Sequence, residues 1–431
     1  MSTTYYARDF PSADVFAFCT LHHERRPENR ELAVTNADDV WKRYNSVKNE
    51  AELRQLAVRN GVGATLHLGP HYTEAAAHAR RPGVAAVGKQ LPFDLDLTDV
   101  SFLGIPKSDQ TSNDRFVRLI FGQVHILRAI LREVFGFEHF LPVYSGRRGV
   151  HLWVLDARAD ALDDEARKAI CAMISPPDLR RDSRLFYRLP ILQQPSFTGG
   201  EVEEAVDAVY HRILLAPYKQ GGVGLFDSRM RVESFLDKLF ARSSGASDAN
   251  APESRFQDAD AECERRVRFA MNGVSGPTAY RTLEAAIADG MQSEANRRSG
   301  RKATPSEIAH QLLSEKLQDV MFSLVWPSLD VGPSAQMGHC VKLPFSEHGS
   351  TGRISLPIVQ LLPVSGGSFP LPPIVTAADL HTSGEKRDLF DKSVAVMRSA
   401  VAFARKDVRP APSLDDIEDL GGRTSKSPRS A

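Results

Sequence analysis

Two aspartates lie two residues apart in an apolar run, a spacing that could do metal chemistry. The run is Phe93-Asp94-Leu95-Asp96-Leu97. Side chains of a strand alternate between its faces, so the two aspartates share one face and the apolar residues take the other. Neighbouring carboxylates repel each other unless a cation lies between them, and Mg²⁺ prefers oxygen ligands. The spacing therefore predicts either a divalent-metal site or an edge strand with two solvated aspartates.

A third carboxylate could complete such a site. Asp330 follows the tetrapeptide WPSL, just past a strongly helical segment and within a short strand-like run. Taken alone, it fits a turn as well as it fits a metal ligand. The sequence pattern therefore leaves Asp330 as a candidate metal ligand, with a turn residue as the alternative.

A basic turn bracketed by glycines is the second group with chemical potential. The segment VYSGRRGVH, residues 143–151, lies between two strand-like runs. Gly146 and Gly149 permit positive φ and close backbone approach. Arg147 and Arg148 could hold a phosphate through paired N–H bonds. The alternative is a solvated basic hairpin tip.

Histidines and a lysine add to the same chemistry. His151 alternates with apolar neighbours, so we expect it to face the side of the carboxylates, and the alternative is a core histidine. Downstream, His339, Lys342 and His348 occur within ten residues. They could bind a triphosphate or belong to an ordinary surface loop.

Several common catalytic signatures do not occur in the sequence. No GxxxxGK[ST] is present, so a P-loop does not hold phosphate. No GxSxG is present, and Ser145 has no triad partners at the sequence level. His67 and His71 flank Gly69-Pro70, which breaks a helix, so a metal site there is the less favoured interpretation.

Two kinds of hydrophobic pattern indicate the secondary-structure elements that must position these residues. Short apolar or alternating runs predict strands in residues 61–156 and 326–364. Residues 157–325 are mostly helical by pattern. Because strand-rich segments flank the helical block, we predict an α+β fold with a mixed sheet, discontinuous in sequence, and an inserted helical subdomain. The expected divisions are a core of 1–156 and 320–408, a mainly helical subdomain of 157–319 and a disordered tail of 409–431.

Individual helices have clear sequence signals. One runs from Phe116 to Val134 and stops at Gly136, and another covers 385–405. A third opens with the capping pattern Thr304-Pro305-Ser306-Glu307. We expect its apolar face to be Ile308, Leu312, Leu317, Val320 and Leu324.

Composition excludes several classes of protein. The 431 residues contain 54 Lys plus Arg and 54 Asp plus Glu, which excludes a histone-like or acidic-tail protein, although a neutral sum can hide a basic channel. No apolar stretch approaches the roughly 20 residues of a membrane span. The four cysteines lie far apart, which disfavours a disulfide framework or a zinc ribbon. We expect a soluble intracellular protein.

Three blocks together resemble a known family. LPFDLDLTD, VYSGRRGVHLWVLD and WPSLD…GHCVKLPFSEHGSTGRISLPI occur in that order. They are similar to the small, catalytic subunit of the archaeo-eukaryotic DNA primase, the eukaryotic type in particular. Tyr5-Tyr6 with Phe10-Pro11, and RELAV followed by DDVWKRY, are also similar to that family. The resemblance extends from the first residues to about 360 and is weakest in the helical block.

The resemblance implies roles for individual residues. Asp94, Asp96 and Asp330 would hold two divalent ions, Mg²⁺ or Mn²⁺. Glu31 would join Asp94 and Asp96 as a catalytic residue, and Arg43 would contact nucleotide or template. The nucleotide would be bound by Ser145, Gly146, Arg147, Arg148, Gly149, His151, His339, Lys342 and His348.

One departure from the family concerns zinc. The family places a cluster of Cys and His between the DxD strand and the helix before SGRRGVH. Residues 97–124 contain neither residue type. A bound zinc is therefore doubtful in this chain.

The resemblance also implies an activity, partners and a location. The expected reaction is synthesis of short RNA primers on single-stranded DNA from ribonucleoside triphosphates. The expected partners are a large primase subunit and DNA polymerase α, in the nucleus. Alternatives are a primase-polymerase that extends DNA in repair or damage tolerance, and a non-catalytic subunit that binds nucleic acid. A metal-dependent nuclease would want the carboxylates but not the phosphate clamp.

Overall fold

The computed structural model describes residues 3–36, 38–61, 63–97, 109–174, 200–240, 254–295, 305–361 and 370–406. The predicted tail lies outside the described residues, as do residues 98–108 of the segment 97–124 to which the zinc expectation refers. The strands of the described part are β1 (Arg30–Thr35), β2 (Trp41–Asn45), β3 (Thr65–Tyr72), β4 (Ala86–Gly88), β5 (Leu91–Asp96), β6 (Phe140–Tyr144), β7 (Gly149–Val154), β8 (Val341–Lys342) and β9 (Leu356–Pro357).

Helices surround these strands. In chain order, the α-helices of the described residues are α1 (Thr3–Arg8), α2 (Ser12–Cys19), α3 (Glu50–Arg59), α4 (Gln110–Glu133), α5 (Ala157–Asp160), α6 (Asp164–Ile174), α7 (Glu201–Val209), α8 (Arg229–Phe240), α9 (Ser254–Ala270), α10 (Ala279–Ala295), α11 (Pro305–Val325), α12 (Val331–Ala335), α13 (Asp379–Thr382) and α14 (Gly384–Ala404). Within the described ranges, no helix is both long and apolar enough to cross a bilayer.

The strands form two antiparallel sheets. The first has the order β2-β1-β3-β4, and β8 pairs with β3. The second has the order β5-β7-β6-β9. Together with the helices, they form the α+β architecture that the sequence predicts. Every pairing of these strands is antiparallel, however, whereas a mixed sheet was expected.

The second sheet is the central layer of the molecule. Every residue of β7 is buried. Val150, Leu152 and Val154 pack with α4 and the helices of the 201–325 region in one continuous core. Trp153 and Leu155 face the other way, into a core shared with the first sheet and α14. A strand covered on both faces holds its register firmly, because a one-residue slip would exchange the two sets of side chains.

Two differences from the predicted elements have clear physical reasons. Residues 326–361 form mostly turns, the short α12 and two two-residue strands, although their apolar runs predict a strand-rich segment. These runs are buried as irregular backbone against the sheets, and periodicity cannot distinguish such burial from strand formation.

The second difference is the buried face of α11. The helix begins at Pro305, at the predicted capping pattern. Its core face, however, contains Ala309, Leu313 and Met321 beside the predicted Leu317 and Leu324, whereas Leu312 is 55% exposed. Leucines occupy both 312 and 313, so composition alone does not select which one faces inward.

Candidate active site

The two aspartates of β5 lie on one face, as their spacing predicts. Phe93 and Leu95 are fully buried. The side chains of Asp94 and Asp96 are 27% and 28% exposed. In the pairing of β5 with β7, Asp94 lies opposite His151 and Asp96 opposite Gly149. The strand pairing therefore brings the carboxylates to the end of the basic hairpin.

Asp330 is joined to β5 through its backbone. Its N–H donates to the carbonyl of Asp94 at 2.9 Å, in an isolated antiparallel bridge. Its own carboxylate accepts from the Gly332 N–H at 3.2 Å and caps α12. The fold thus joins two segments that are far apart in the sequence.

The three carboxylates fit a divalent ion by chemical type. In the part of the chain that the structure describes, no three Asp, Glu, His or Cys side chains converge in a metal-binding arrangement. The Asp96 carboxylate accepts a bond from Arg148 Nε at 2.6 Å, and Asp330 caps its helix. Three carboxylates around one backbone bridge are nevertheless the oxygen donors that Mg²⁺ or Mn²⁺ requires.

The turn between β6 and β7 requires its glycines. Gly146 has φ +89°, and a Cβ there would lie 3.1 Å from the carbonyl oxygen of Arg353. A Cβ on Gly149 would lie 2.7 Å from the Leu95 carbonyl oxygen. Within the turn, the Ser145 N–H donates to the Gly149 carbonyl at 2.9 Å. Close approach of backbone on both sides therefore fixes the hairpin against β5.

Donor atoms near the carboxylates are left without partners. Arg148 Nη1 is buried and makes no hydrogen bond to any described residue. The same holds for Nδ1 of His151, whose Nε2 lies 3.7 Å from Asp94 Oδ1. Because a buried N–H without an acceptor is costly, such atoms mark a place where a ligand can supply one.

Lys342 lies above the same hairpin. Its Nζ donates to the Ser145 carbonyl at 2.6 Å, and β8 pairs it with His67. Burial lowers the pKa of Lys342 to about 8, although Asp94 and Asp96 act in the opposite direction. A lysine that donates to a carbonyl and feels the charge of two nearby carboxylates is well placed to bind a further anionic group.

The surrounding histidines are neutral near pH 7. Burial lowers the pKa of His151 to about 3, and the positive charge of Lys342 adds to the effect. The pKa of His348 is lowered to about 3 by burial, with contributions from Lys342 and Arg147. That of His339 is also lowered, by burial first and by Lys89 second. Neutral imidazoles offer an N–H without adding charge.

Glu31 occupies a different environment from the aspartates. Its side chain is fully buried and forms a two-point ion pair with Arg43, with Nε–Oε1 at 2.7 Å and Nη2–Oε2 at 2.8 Å. It also accepts from the Tyr44 N–H and the Tyr72 hydroxyl, both at 3.1 Å. Arg43 Nη2 continues to the Gly338 carbonyl at 3.1 Å. Glu31 thus fixes the position of the Arg43 guanidinium.

The structure adds a residue that sequence reasoning set aside. His67 points from β3 toward Lys342, and burial lowers its pKa to about 3, with further contributions from Lys342 and His151. With Thr35, Thr65, Lys342 and others it lines a cavity of about 600 Å³. That volume suits a small-molecule ligand. Alternation with buried Leu66 and Leu68 could have placed His67 on the open face, but only strand pairing shows what it meets.

Comparisons with known proteins cover the same residues. The chain matches the family model described as DNA primase small subunit over residues 93–359. It is 25% identical over 374 residues to the DNA primase small subunit of Drosophila melanogaster, which covers 83% of this chain and 76% of that protein. The corresponding protein of Schizosaccharomyces pombe is 25% identical over 364 residues, covering 82% and 71%. That of Saccharomyces cerevisiae is 24% identical over 404 residues, covering 89% and 85%.

Proposed function

Because the chain belongs to the DNA primase small subunit family, we propose that it is the catalytic subunit of a DNA primase. In this proposal it synthesises short RNA primers on single-stranded DNA, from ribonucleoside triphosphates, for DNA replication. The observation that carries the proposal is the pairing of β5 with β7, which sets Asp94 and Asp96 beside His151 and Arg148, at the hairpin whose Ser145 carbonyl binds Lys342.

The nucleotide's phosphates would bind on the hairpin side of this arrangement. Arg148 Nη1 is a buried donor that lacks an acceptor among the described residues, and His151 Nδ1 is a buried ring nitrogen without a hydrogen-bond partner there. Lys342 and the charge of Arg147 would offset the negative charge that develops on the leaving pyrophosphate. His348 and His67 line the adjoining cavity, which would receive the nucleoside. His339 would complete the pocket from the side of Asp330.

Asp94, Asp96 and Asp330 would hold Mg²⁺ or Mn²⁺. When bound, such ions lower the pKa of an attacking hydroxyl and neutralise charge on the leaving group. Arg148 holds one Asp96 oxygen and so orients that carboxylate toward the site. Glu31 would act through Arg43, which it fixes by two hydrogen bonds, and Arg43 would contact nucleotide or template.

Partners follow from the same proposal. The template would be single-stranded DNA, followed through its backbone, so binding should weaken steeply with salt and show little base preference. A large primase subunit would be the immediate partner, with DNA polymerase α in the same assembly. The place of action would be the nucleus.

The test is primer synthesis by the purified chain on single-stranded DNA. Ribonucleotides and deoxyribonucleotides are supplied in separate reactions, each with Mg²⁺ or Mn²⁺, with and without a large subunit. Asp94→Asn removes the charge of one carboxylate. Asp207→Asn, on the exposed side of α7, is the matched control. We expect products from ribonucleotides without a supplied primer, absent for Asp94→Asn and normal for Asp207→Asn.

Other outcomes would replace the proposal. Extension only of a supplied primer, chiefly with deoxyribonucleotides, would indicate a primase-polymerase. No product under any condition, with template binding retained, would indicate a non-catalytic subunit. Equal activity of Asp94→Asn and the wild type would contradict the site itself.

A further inference from the structure

Lys89 lies just before β5 and is fully buried. Its Nζ donates to three backbone carbonyls: those of Pro333 at 3.3 Å, Gln336 at 3.0 Å and His339 at 2.9 Å. An ammonium group has three N–H bonds, so these three carbonyls use its full capacity. One side chain thus connects three points of the segment 331–340 to the start of β5.

The two parts that Lys89 connects both belong to the candidate active site. Downstream of Lys89, β5 carries Asp94 and Asp96. The segment 331–340 begins directly after Asp330 and contains His339, and Lys342 follows it. The segment has other contacts with the core: Ala335 packs in the main hydrophobic cluster, α12 contacts α6 and β5, and the Met337 N–H donates to Asp164 Oδ1 at 2.7 Å. The Asp330–Asp94 backbone bond and the bond of Gly338 to Arg43 add to these.

The backbone of Lys89 is itself anchored. Its N–H donates to the Asp160 carbonyl at 3.0 Å, and its carbonyl accepts a bond from Arg167 Nη2. Arg167 is fully buried and also binds the carbonyls of Ala159 and Leu162. The ammonium therefore projects from a fixed point, so its position can determine the position of the segment.

We infer that Lys89 is a positioning residue, which sets Asp330 and His339 in register with Asp94 and Asp96 by holding the 331–340 segment. The expected loss of primer synthesis rests on the proposed function. The expected change in the position of the segment 331–340 rests on the contacts alone. Without the ammonium, the buried Pro333 carbonyl and the part-buried Gln336 and His339 carbonyls lose their shared donor, and we expect the segment to shift toward other donors or water. Such supporting contacts around metal ligands typically change metal affinity or activity by about 10- to 100-fold.

The test compares Lys89→Met with Arg118→Met. Methionine replaces the aliphatic part of the lysine side chain and removes the donor atom. Arg118 is also a buried cation that binds backbone carbonyls, those of Tyr218 and Gly222, but in the helical region. The measurements are amide hydrogen exchange of residues 331–340, Mn²⁺ binding by electron paramagnetic resonance, and primer synthesis.

For Lys89→Met we expect exchange in 331–340 to accelerate at least about 10-fold and Mn²⁺ affinity to fall about 10-fold or more. Primer synthesis should fall by about 10- to 100-fold. Arg118→Met should lower thermal stability while leaving Mn²⁺ affinity and exchange in 331–340 unchanged. Unchanged exchange and Mn²⁺ affinity in a folded Lys89→Met protein would overturn the inference.

A second variant and a measurement on the wild type test the inference if Lys89→Met does not fold. If Lys89→Met does not fold, Lys89→Gln retains two N–H donors and should show smaller changes in the same direction. If neither variant folds, amide hydrogen exchange is measured in the wild type. We then expect the amides of 334–339 to exchange as slowly as those of β5. Fast exchange there would overturn the inference. If the wild type makes no primers while Lys89→Met still accelerates exchange in 331–340 and weakens Mn²⁺ binding, the proposed function fails and the positioning role stands.

Discussion

The two sheets each contribute carboxylates to the candidate active site, and they place them in opposite environments. Glu31 of the first sheet is fully buried and bonded to Arg43, Tyr44 and Tyr72. Asp94 and Asp96 of the second sheet are each more than a quarter exposed. The comparison teaches that residue type does not determine role. A carboxylate whose oxygens are already bonded in a dry interior supports its neighbours, whereas one at an open edge can bind a ligand.

Asp94→Asn should have the largest effect of any change discussed, and its effect should be on activity. We expect primer synthesis to fall by about 10³-fold or more, since the loss of a carboxylate charge removes several kcal/mol of barrier stabilisation. The free energy of unfolding should change little, because the side chain is part-exposed. Kinetics and chemical denaturation on the same sample measure both. A large loss of stability in Asp94→Asn would contradict the prediction that Asp94, unlike Glu31, contributes mainly to activity.

The pH dependence of the free energy of unfolding tests whether both sheets bury neutral histidine side chains. Burial lowers the pKa of His71 in the first sheet to about 4 and that of His151 in the second to about 3. Between pH 6.5 and about 4 the unfolded chain binds protons that the folded chain does not, so stability falls as pH falls. Two such histidines contribute about 3 kcal/mol per pH unit.

The measurement is urea unfolding at several pH values. His71→Gln should reduce the slope between pH 6.5 and 4.5, because it removes one of the imidazoles that are protonated in the unfolded chain and neutral in the folded one. A free energy of unfolding that stays constant over this range would contradict the burial of these groups.

Glu31→Gln should show the reverse pattern to Asp94→Asn, with the main loss in stability. The amide cannot accept from Arg43 at both positions, and we expect a loss of about 2–3 kcal/mol, less than for a fully buried pair because Arg43 is part-exposed. A double-mutant cycle with Arg43→Gln separates the pair from the other contacts of Glu31. A coupling energy near zero would show that the ion pair is not what Glu31 contributes.

Gly69→Ala should have the smallest effect, and it acts on Glu31 alone. A Cβ on Gly69 would lie 2.8 Å from Glu31 Oε2, so the carboxylate must shift away from Arg43. We expect a loss of about 1–3 kcal/mol, typical of overpacking. Gly384→Ala, which has no atom near its added methyl, is the control and should not lower stability. Thermal unfolding of both variants gives the comparison, and equal midpoints would contradict the close packing at Gly69.

Much of the second sheet could be predicted from the sequence. Strand periodicity placed Asp94 and Asp96 on one face and His151 on the same side, and the structure confirms both. The glycines around Arg147 and Arg148 indicated a tight turn, and the positive φ of Gly146 confirms it. These features depend on residues within a few positions of each other, where local geometry leaves few choices.

Other features had no local signal. Glu31 lies in an apolar strand, and nothing in the sequence shows that Arg43 and Tyr72 enclose it. His67 was set aside because Gly69-Pro70 breaks any helix that would bring it to His71, whereas its structural neighbour is Lys342. Leu312 and Leu313 were equivalent by composition until packing selected one of them. In each case the deciding contact is with a segment distant in sequence.

By itself, then, the sequence determined the chemistry available to this protein: carboxylates two residues apart, a basic glycine-bracketed turn, and a resemblance carried by three short blocks. Backbone periodicity and turn sterics are local, so they can be inferred from adjacent residues. Only the tertiary structure decided which carboxylate is a support and which is open, and which segments Lys89 joins. Burial and hydrogen-bond saturation depend on what the rest of the chain packs against each side chain, and no short stretch of sequence contains that information.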